Sequence, residues 1–382
     1  MEHTKVNETF RILSAIAITL VVAGHADFHI FDLGGLFPYY SFHVAVFLFI
    51  SGYFYDESEE AHIGRYIKRK ALRLLVPYFL WNILYGCMAA ALRRGGFYIG
   101  DGISFRTLFI EPFLGGHQFG YNFAAWFVPA LFLVEAINIC MRRVLTAIRL
   151  NYEYLIMAAV LLAGILTVWF AIGGHVWGYY KLPGRILFML PMFELGHLYK
   201  KKLEKRDTLP NGIYFGSLLV IQLCIVFGCG GLAYSTVWCS SFANGPVIPY
   251  LTTVTGIAFW LRISKILSPA WKGLRCIERI GKDTYSIMMH HISGFMIVKG
   301  VFFALSLFIP WCADFNKEAF FSDVNYIYLI KGVDAGKWIY LAAGLMIPLF
   351  IGSAVRQVSR YLLPFGRLWI KEGALIRSRV IR

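Results

Sequence analysis

Apolar runs of roughly membrane-spanning length recur along almost the whole chain, separated by short polar segments. A helix that crosses a bilayer needs about 20 mostly apolar residues. Reading the sequence for such runs gives ten candidates, at about 11–29, 36–55, 73–92, 123–141, 153–173, 183–199, 213–230, 246–263, 284–308 and 337–361. The pattern predicts an all-α fold, a polytopic membrane bundle of about ten transmembrane helices.

Positive charges are concentrated in alternate segments between these runs. If the N-terminus is cytoplasmic, the segments that alternation puts on the same side hold 28 of the 37 lysines and arginines. Cytoplasmic loops of membrane proteins carry such an excess. We therefore expect an even number of spans, with both termini cytoplasmic, in a multi-pass protein of the inner (plasma) membrane.

The composition is that of an integral membrane protein. Hydrophobic residues make up 58% of the 382 residues and charged residues only 15%, whereas a soluble domain is about a quarter charged. The net charge of +15 lies in short clusters between apolar runs, which argues against a nucleic-acid partner. We expect one membrane-embedded domain over residues 1–366, without a cleavable signal peptide, and a basic cytoplasmic tail over residues 367–382.

The first apolar run has an ionisable residue at each end. No charge occurs between Ile12 and Gly24, but Arg11 precedes this stretch and His25 follows it. Helix geometry separates Arg11 and His25 by about 21 Å along one face, which Ser14 shares. Ionisable groups at membrane depth usually face a bundle interior or a wet cavity, so His25 is a candidate functional residue. From this helix alone, a buried structural histidine and an arginine that anchors the helix at the membrane surface remain equally open.

Further polar residues of the predicted spans are candidates for lining the same cavity. In chain order these are Ser51, Trp126, Arg185, Glu194, Tyr285 and the doublet His290–His291, of which only one can face a given cavity. After the second span, Arg69 and Arg73 lie one helical turn apart, a spacing that suits phosphate oxygens. Membrane topology alone also requires a basic cluster there, and Ser51 with Gly52 also suits close helix packing.

Six segments, taken together and in order, resemble the acyltransferase-3 family of integral membrane O-acyltransferases. The closest types are bacterial surface-sugar O-acetyltransferases and fucose 4-O-acetylase-like enzymes. The segments are LSAIAITLVVAGH ending at His25, FHVAVFLFISGY ending at Tyr53, RKALRLLVPY ending at Tyr78, WFVPALF from Trp126, RILFMLPMFELGHL from Arg185 and IGKDTYSIMMHH ending at His291. The resemblance covers nearly the whole chain and implies about ten spans.

The resemblance also implies the substrates. The donor is acyl-CoA, commonly acetyl-CoA, from the cytoplasm, and it acts as a co-substrate rather than a bound cofactor. The acceptor is a hydroxyl of a sugar, in a cell-surface glycan or its lipid-linked precursor. His25 matches the family's catalytic histidine, Arg69 and Arg73 match its basic pair, and Ser51 with Gly52 matches its Ser-Gly motif.

The family pattern and this sequence differ at one position. A basic residue usually stands 11 positions before the catalytic histidine, where this chain has Ser14, and we expect Arg11, one turn earlier, to take its role. Of the histidine doublet, His291 fits the family's spacing from Gly281 better than His290 does.

Histidine chemistry agrees with this assignment. A sugar hydroxyl is a weak nucleophile until a positioned base takes its proton, and histidine has a suitable pKa. We expect Arg11, Arg69 and Arg73 to bind the CoA phosphates on the inner side, and His25 to act as general base. The acceptor would approach from the outer side, and its site or cavity would include Ser14, Ser51, Trp126, Arg185, Glu194, Tyr285 and His291.

Two other classes of function fit the same pattern. A proton-coupled transporter or exporter of a glycan or small anion would also need intramembrane histidine and arginine, although no matched pair of broken helices is evident. A non-catalytic component of a glycan pathway is the other class. The seven cysteines have no metal-ligand spacing, and a site of His25, Asp27 and His29 would need all three to converge at a helix end, so we expect no metal. The oligomeric state is left open.

Overall fold

The chain is described here by a computed structural model that covers residues 7–30, 33–230 and 242–362, so the predicted tail at 367–382 lies outside the described residues. Within these residues the fold is helical and has no β-strand. The α-helices, in chain order, are α1 Glu8–His25, α2 Ala45–Tyr53, α3 Ile63–Lys70, α4 Val76–Arg94, α5 Glu111–Leu114, α6 Phe127–Ala147, α7 Glu153–Ile172, α8 Lys181–Leu198, α9 Asn211–Cys229, α10 Ile248–Trp271, α11 Arg275–Lys282, α12 Thr284–Ser306, α13 Lys317–Ser322 and α14 Lys337–Leu362.

Seven helical segments of the described residues are long and apolar enough to cross a membrane. They are Glu8–His25, Glu57–Arg94, Gly120–Ala147, Glu153–Ile172, Asn211–Cys229, Thr284–Ser306 and Asp334–Ser359. These segments confirm an all-α, multi-pass membrane protein. The predicted spans at 36–55, 183–199 and 246–263 are not among the seven, so the count of ten and the cytoplasmic termini stay predictions.

The chain is still helical at those three places, but the helices are shorter or more polar. The second run forms α2, which has only nine residues. Helix α8 carries the buried charges Arg185 and Glu194, and α10 carries Arg262 and the buried Thr252 and Thr253. Such side chains are tolerated at membrane depth when they face other helices rather than lipid.

The first helix occupies a central place in the bundle. It contacts α2, α10, α11, α12 and α14, and most of its side chains between Phe10 and Ala23 are buried. Its N-terminal end packs so closely on α11 that a Cβ atom on Gly281 would lie 2.4 Å from the carbonyl oxygen of Arg11. Its C-terminal end places His25 beside His291 of α12.

Helices α2 and α8 approach each other too closely for any residue except glycine at two positions. A Cβ atom on Gly52 would lie 1.8 Å from the carbonyl oxygen of Phe193, and one on Gly196 would lie 1.9 Å from that of Phe49. Small residues let membrane helices bring their backbones together. The packing interpretation of the Ser-Gly step in the second apolar run is therefore confirmed.

We expect Gly52→Ala to lower the stability of the protein by about 1–3 kcal/mol or more, because the added methyl group must push α8 away. Melting temperature in detergent, followed by gel-filtration recovery after heating, measures the effect. Gly216→Ala in α9 is the matched control, since a Cβ atom there meets nothing within 4 Å and alanine is the better helix former. Equal melting temperatures for the two variants would contradict the close packing of α2 on α8.

Candidate active site

His25 ends α1 among aromatic and histidine side chains. Its ring centroid lies 5.1 Å from that of His291 and 5.0 Å from that of Phe123. Protein surrounds the His25 ring, yet the residue is only partly buried by surface area, as expected for a side chain that lines a cavity. Within the described residues no hydrogen bond engages its ring nitrogens, so they are available to a ligand.

Two neighbouring histidines are oriented by backbone carbonyl groups. Nδ1 of His291 lies 2.8 Å from the carbonyl oxygen of Ile287, and Nδ1 of His43 lies 2.7 Å from that of Tyr39. A carbonyl oxygen can only accept a hydrogen bond, so each Nδ1 donates and each Nε2 keeps its lone pair. Nε2 of His291 is buried and has no partner in the described part of the chain. This lone pair is available to a ligand or to His25.

The two histidines of the α12 doublet have different neighbours. His291 lies beside His25, whereas Nδ1 of His290 lies 2.8 Å from the Tyr85 hydroxyl of α4. The His290 ring also packs edge-on against Trp81, with centroids 4.2 Å apart. Of the doublet, His291 is therefore the one beside His25, and its place in the predicted cavity stays a prediction.

A second group of side chains extends from His25 towards the N-terminal end of α8. The His117 ring lies 5.8 Å from Phe123 and 6.4 Å from Trp126, and the guanidinium carbon of Arg185 lies 4.7 Å above the Trp126 ring. Trp126 and Arg185, which were both predicted on the acceptor side, are therefore in contact. Phe123 and His117 connect them to His25.

His117 was not predicted. Desolvation, followed by the positive charges of Lys181 and Arg185, lowers its pKa to about 4, so the ring is neutral near pH 7. A single histidine in the glycine-rich stretch GGHQFGYN has no periodicity that would link it to a cavity. Only the folded chain brings it to the aromatic group beside His25.

A glycine turn holds the His117 loop against α6. Gly116 has a backbone φ of +82°, which L side chains rarely adopt, and a Cβ atom there would lie 2.5 Å from Cβ of Trp126. Glycine accepts both the positive φ and the close approach. The loop can therefore lie on Trp126, with the His117 ring beside Trp126 and Phe123.

The cytoplasmic end of α1, as predicted from its charge, is occupied by internal contacts. Arg11 is buried, and its Nη1 lies 3.1 Å from Glu8 and 3.7 Å from Glu278. The hydroxyl of Ser14 donates to the carbonyl oxygen of Phe10, 2.8 Å away. Arg11 thus joins α1 to α11, and its predicted part in donor binding would require it to leave these carboxylates.

The predicted basic pair lies at a π-helical turn, Ala71–Leu75, between α3 and α4. Nη1 of Arg69 lies 2.8 Å from Glu59, while Arg73 is exposed within the turn. Tyr285 contacts this turn, because its hydroxyl donates to the carbonyl oxygen of Leu74 at 3.2 Å. π-Helical turns are frequent at functional sites; this one carries Arg73, and Arg69 lies in the last turn of α3 just before it.

Glu194 lies in a separate buried ion-pair network towards the other end of α8, about 14 Å along the helix from Arg185. Nε of Arg142 donates to Glu194 at 2.8 Å, and its Nη2 donates to Glu153 at 2.8 Å. The buried guanidinium group of Arg142 is therefore paired with two carboxylates. The geometry gives Glu194 this structural partner rather than a contact with His25, and Ser51 is half-buried at the α2–α8 contact.

One group of acidic and histidine side chains in the described residues comes within metal-ligand reach. The ligand atoms of Glu57, Glu153 and His197 lie within 4.8 Å of one another. Nζ of Lys201 is 2.5 Å from Glu57 and 2.8 Å from Glu153. The ammonium group therefore already supplies the positive charge between these carboxylates, and the group belongs to the Arg142 network.

Comparison with known proteins gives one match. A family model described as an acyltransferase domain, that of acyltransferase-3, matches residues 10–355. No curated protein and no solved structure matches the chain. The matched range contains every residue described above around His25.

Proposed function

The chain belongs to the acyltransferase-3 family, and on that premise we propose that it transfers an acyl group, commonly acetyl, from acyl-CoA to a sugar hydroxyl. The acceptor sugar belongs to a cell-surface glycan or its lipid-linked precursor. The observation that carries the proposal is the contact of His25 with His291, 5.1 Å between ring centroids. Family membership supports a membrane acyltransferase. The donor and the acceptor are inferred from the family resemblance, and the base from that resemblance together with the surroundings of His25.

His25 is proposed as the general base. Its ring nitrogens have no hydrogen-bond partner in the described chain, and a lone pair in this position can take the proton of the acceptor hydroxyl. The hydroxyl oxygen then bonds to the thioester carbon, the carbon–sulfur bond breaks, and the CoA thiolate leaves. The thiolate recovers the proton from the protonated His25, so the protein returns to its starting state.

His291 is proposed to assist His25. Its Nδ1–H is used by the carbonyl oxygen of Ile287, and its buried Nε2 can therefore only accept. An acceptor at this distance stabilises the imidazolium that forms when His25 takes a proton, or orients the hydroxyl that gives it. His291 acts in this account on the proton and not on the thioester.

Donor and acceptor are proposed to enter from opposite ends of α1. CoA is cytoplasmic, and the inner end of the bundle, as charge predicts it, carries Arg69 and Arg73 at their π-helical turn. The pantetheine arm would carry the acyl group from this turn to His25. Trp126, Arg185 and His117 lie on the other side of His25, where a glycan would approach. This arrangement requires the inner (plasma) membrane.

We expect His291→Ala to lower kcat by about 10²-fold, within the range for loss of a group that assists proton transfer, with little change in the KM for acyl-CoA. His290→Gln is the control next to it in sequence, because His290 bonds Tyr85; it should keep kcat within about threefold. Initial rates with purified protein measure both. A larger loss of kcat in the His290 variant would reverse the assignment.

The proposed function is tested by the glycans of cells with and without this chain. The account predicts ester-linked acyl groups, removable by mild base, on a surface glycan or its lipid-linked precursor only in cells that contain the chain. Sealed vesicles provide the comparison with a transporter, which would move a glycan or anion without acyl-CoA. Identical glycans in both cells, together with flux into vesicles that needs no acyl-CoA, would favour the transporter.

A further inference from the structure

Arg185 is a buried cation without a carboxylate partner in the described residues. The residue is only 4% exposed. One guanidinium nitrogen, Nη2, donates to the carbonyl oxygen of Gly115 at 3.2 Å, and Nε is buried without a partner. Buried arginines are normally paired, because an isolated charge in a low-dielectric interior is costly. Arg185 therefore has no anionic partner within the described residues.

The Arg142 network of the same protein provides an internal comparison. Arg142 is equally buried but has Glu194 and Glu153 within hydrogen-bond distance. Arg185 lies near the N-terminal end of α8, and Arg142 of α6 contacts α8 near its other end, through Glu194. The interior of this bundle therefore supplies carboxylate partners to the buried Arg142. Arg185 has no carboxylate partner in the described residues.

The surroundings of Arg185 add positive rather than negative charge. Lys181 lies one turn earlier on α8, with Nζ 4.9 Å above the Trp177 ring. Both cations act electrostatically on His117. The acid that acts on Lys181 is Glu111, and its carboxylate is already 3.4 Å from Arg106. The outer end of α8 therefore carries excess positive charge.

Trp126 fixes the orientation of the guanidinium group. With the guanidinium carbon 4.7 Å above its ring, the Trp126 indole covers one face and leaves the N–H edge for hydrogen bonds. That edge matches the two oxygens of a carboxylate or phosphate. His117 and Phe123 connect the same indole to His25 through successive ring contacts, so Arg185 and His25 border one continuous group of side chains.

We propose that Arg185, assisted by Lys181, binds an oxyanion carried by the acceptor glycan, a carboxylate or a phosphate. This inference rests on the proposed function, since it assigns the acceptor as an acidic sugar or a phosphate-linked one. The anion fixes the register of the glycan so that one hydroxyl lies at His25. The donor phosphates are assigned instead to Arg69 and Arg73, a separate pair of cations in α3 and in the π-helical turn that follows it.

The test measures binding without any donor, so it is independent of catalysis. Purified full-length protein is titrated with glucuronate, its methyl ester, glucose 6-phosphate and glucose, and protection against heating gives the apparent affinities. The expected result is that at least one charged sugar binds about 10- to 100-fold more tightly than its neutral counterpart. Arg185→Gln should remove this difference, Arg185→Lys should retain part of it, and the exposed Arg94→Gln should leave it unchanged.

The pattern among the probes identifies the source of the anion. Preference for glucuronate indicates a uronic-acid acceptor, and preference for glucose 6-phosphate indicates a phosphate-linked one. Lys181→Gln tests the same site if Arg185→Gln fails to fold. It should weaken the binding of charged sugars and leave the binding of neutral sugars unchanged. Equal affinity for charged and neutral sugars, or full charge preference in the Arg185 and Lys181 variants, would overturn the inference.

Failure of the proposed function is distinguishable from failure of this inference. If acidic sugars bind through Arg185 but no acyl transfer occurs, the anion site stands and the enzyme assignment falls. If acyl transfer occurs and Arg185→Gln changes the choice between acetyl-CoA and succinyl-CoA while acceptor KM stays the same, Arg185 contacts the acyl group, and the acceptor assignment is wrong.

Discussion

His25→Ala is expected to reduce acyl transfer by roughly 10²–10⁴-fold, the range for removal of a general base. The variant should insert and fold, because the His25 side chain makes no hydrogen bond within the described residues and His25 is the last residue of its helix. The donor should still bind, since Arg69 and Arg73, the residues proposed for CoA, lie in α3 and the π-helical turn and are not among the side chains that contact His25. The loss should therefore appear in kcat and leave the KM for acyl-CoA nearly unchanged.

The matched control for this prediction is His175→Ala. His175 is exposed in the loop between α7 and α8, so its removal should change kcat by less than about twofold. Both variants are purified in the same detergent and compared by melting temperature before the rates are measured. If His25→Ala keeps more than about a third of the rate of the unmodified protein, another group must take the proton.

Arg142→Ala is expected to have the largest effect on stability, about 3–5 kcal/mol. Removing one partner of a buried pair leaves an uncompensated charge, and here both Glu194 and Glu153 would lose hydrogen bonds from the same arginine. The guanidinium group is completely buried and joins α6, α7 and α8. A decrease of the melting temperature in detergent, or a loss of folded protein from the membrane, measures this effect.

Arg143→Ala is the control, because Arg143 is the next residue of α6 and is exposed. It should change stability by less than about 0.5 kcal/mol, as surface substitutions usually do. Combining Arg142→Ala with Glu194→Gln should recover part of the loss, because one of the two buried carboxylates is then neutral. Additive losses in the double variant would mean that Arg142 and Glu194 do not stabilise each other.

The sequence predicted the long lipid-facing helices well, and for a simple physical reason. Residues such as those of α7 and α9 must be apolar along most of their length to face lipid, so composition alone identifies them. Helices α2 and α8 do not follow this rule. They pack against each other through Gly52 and Gly196, and a helix covered by protein can be short or carry charges.

The candidate site could be predicted only in part. His25 stands out because a histidine ends an otherwise uncharged run, but its neighbour His291 is 266 positions later in the chain, and helical periodicity gives no contact across that separation. His117 lies in a glycine-rich loop without any periodic signal. Arg142 contributed to the charge count of a cytoplasmic segment, and its partners, 11 and 52 positions away, became evident only in the folded chain.

The most direct measurement is acyl transfer by purified protein in liposomes. Acetyl-CoA labelled in its acetyl group is supplied on one side and a glycan acceptor on the other, and the acceptor is then analysed for the label. The account predicts labelled ester on the glycan in proportion to the CoA released, and neither product above background with His25→Ala. Glycan labelling that persists in the His25 variant, or movement of the glycan across the membrane with no ester formed, would contradict it.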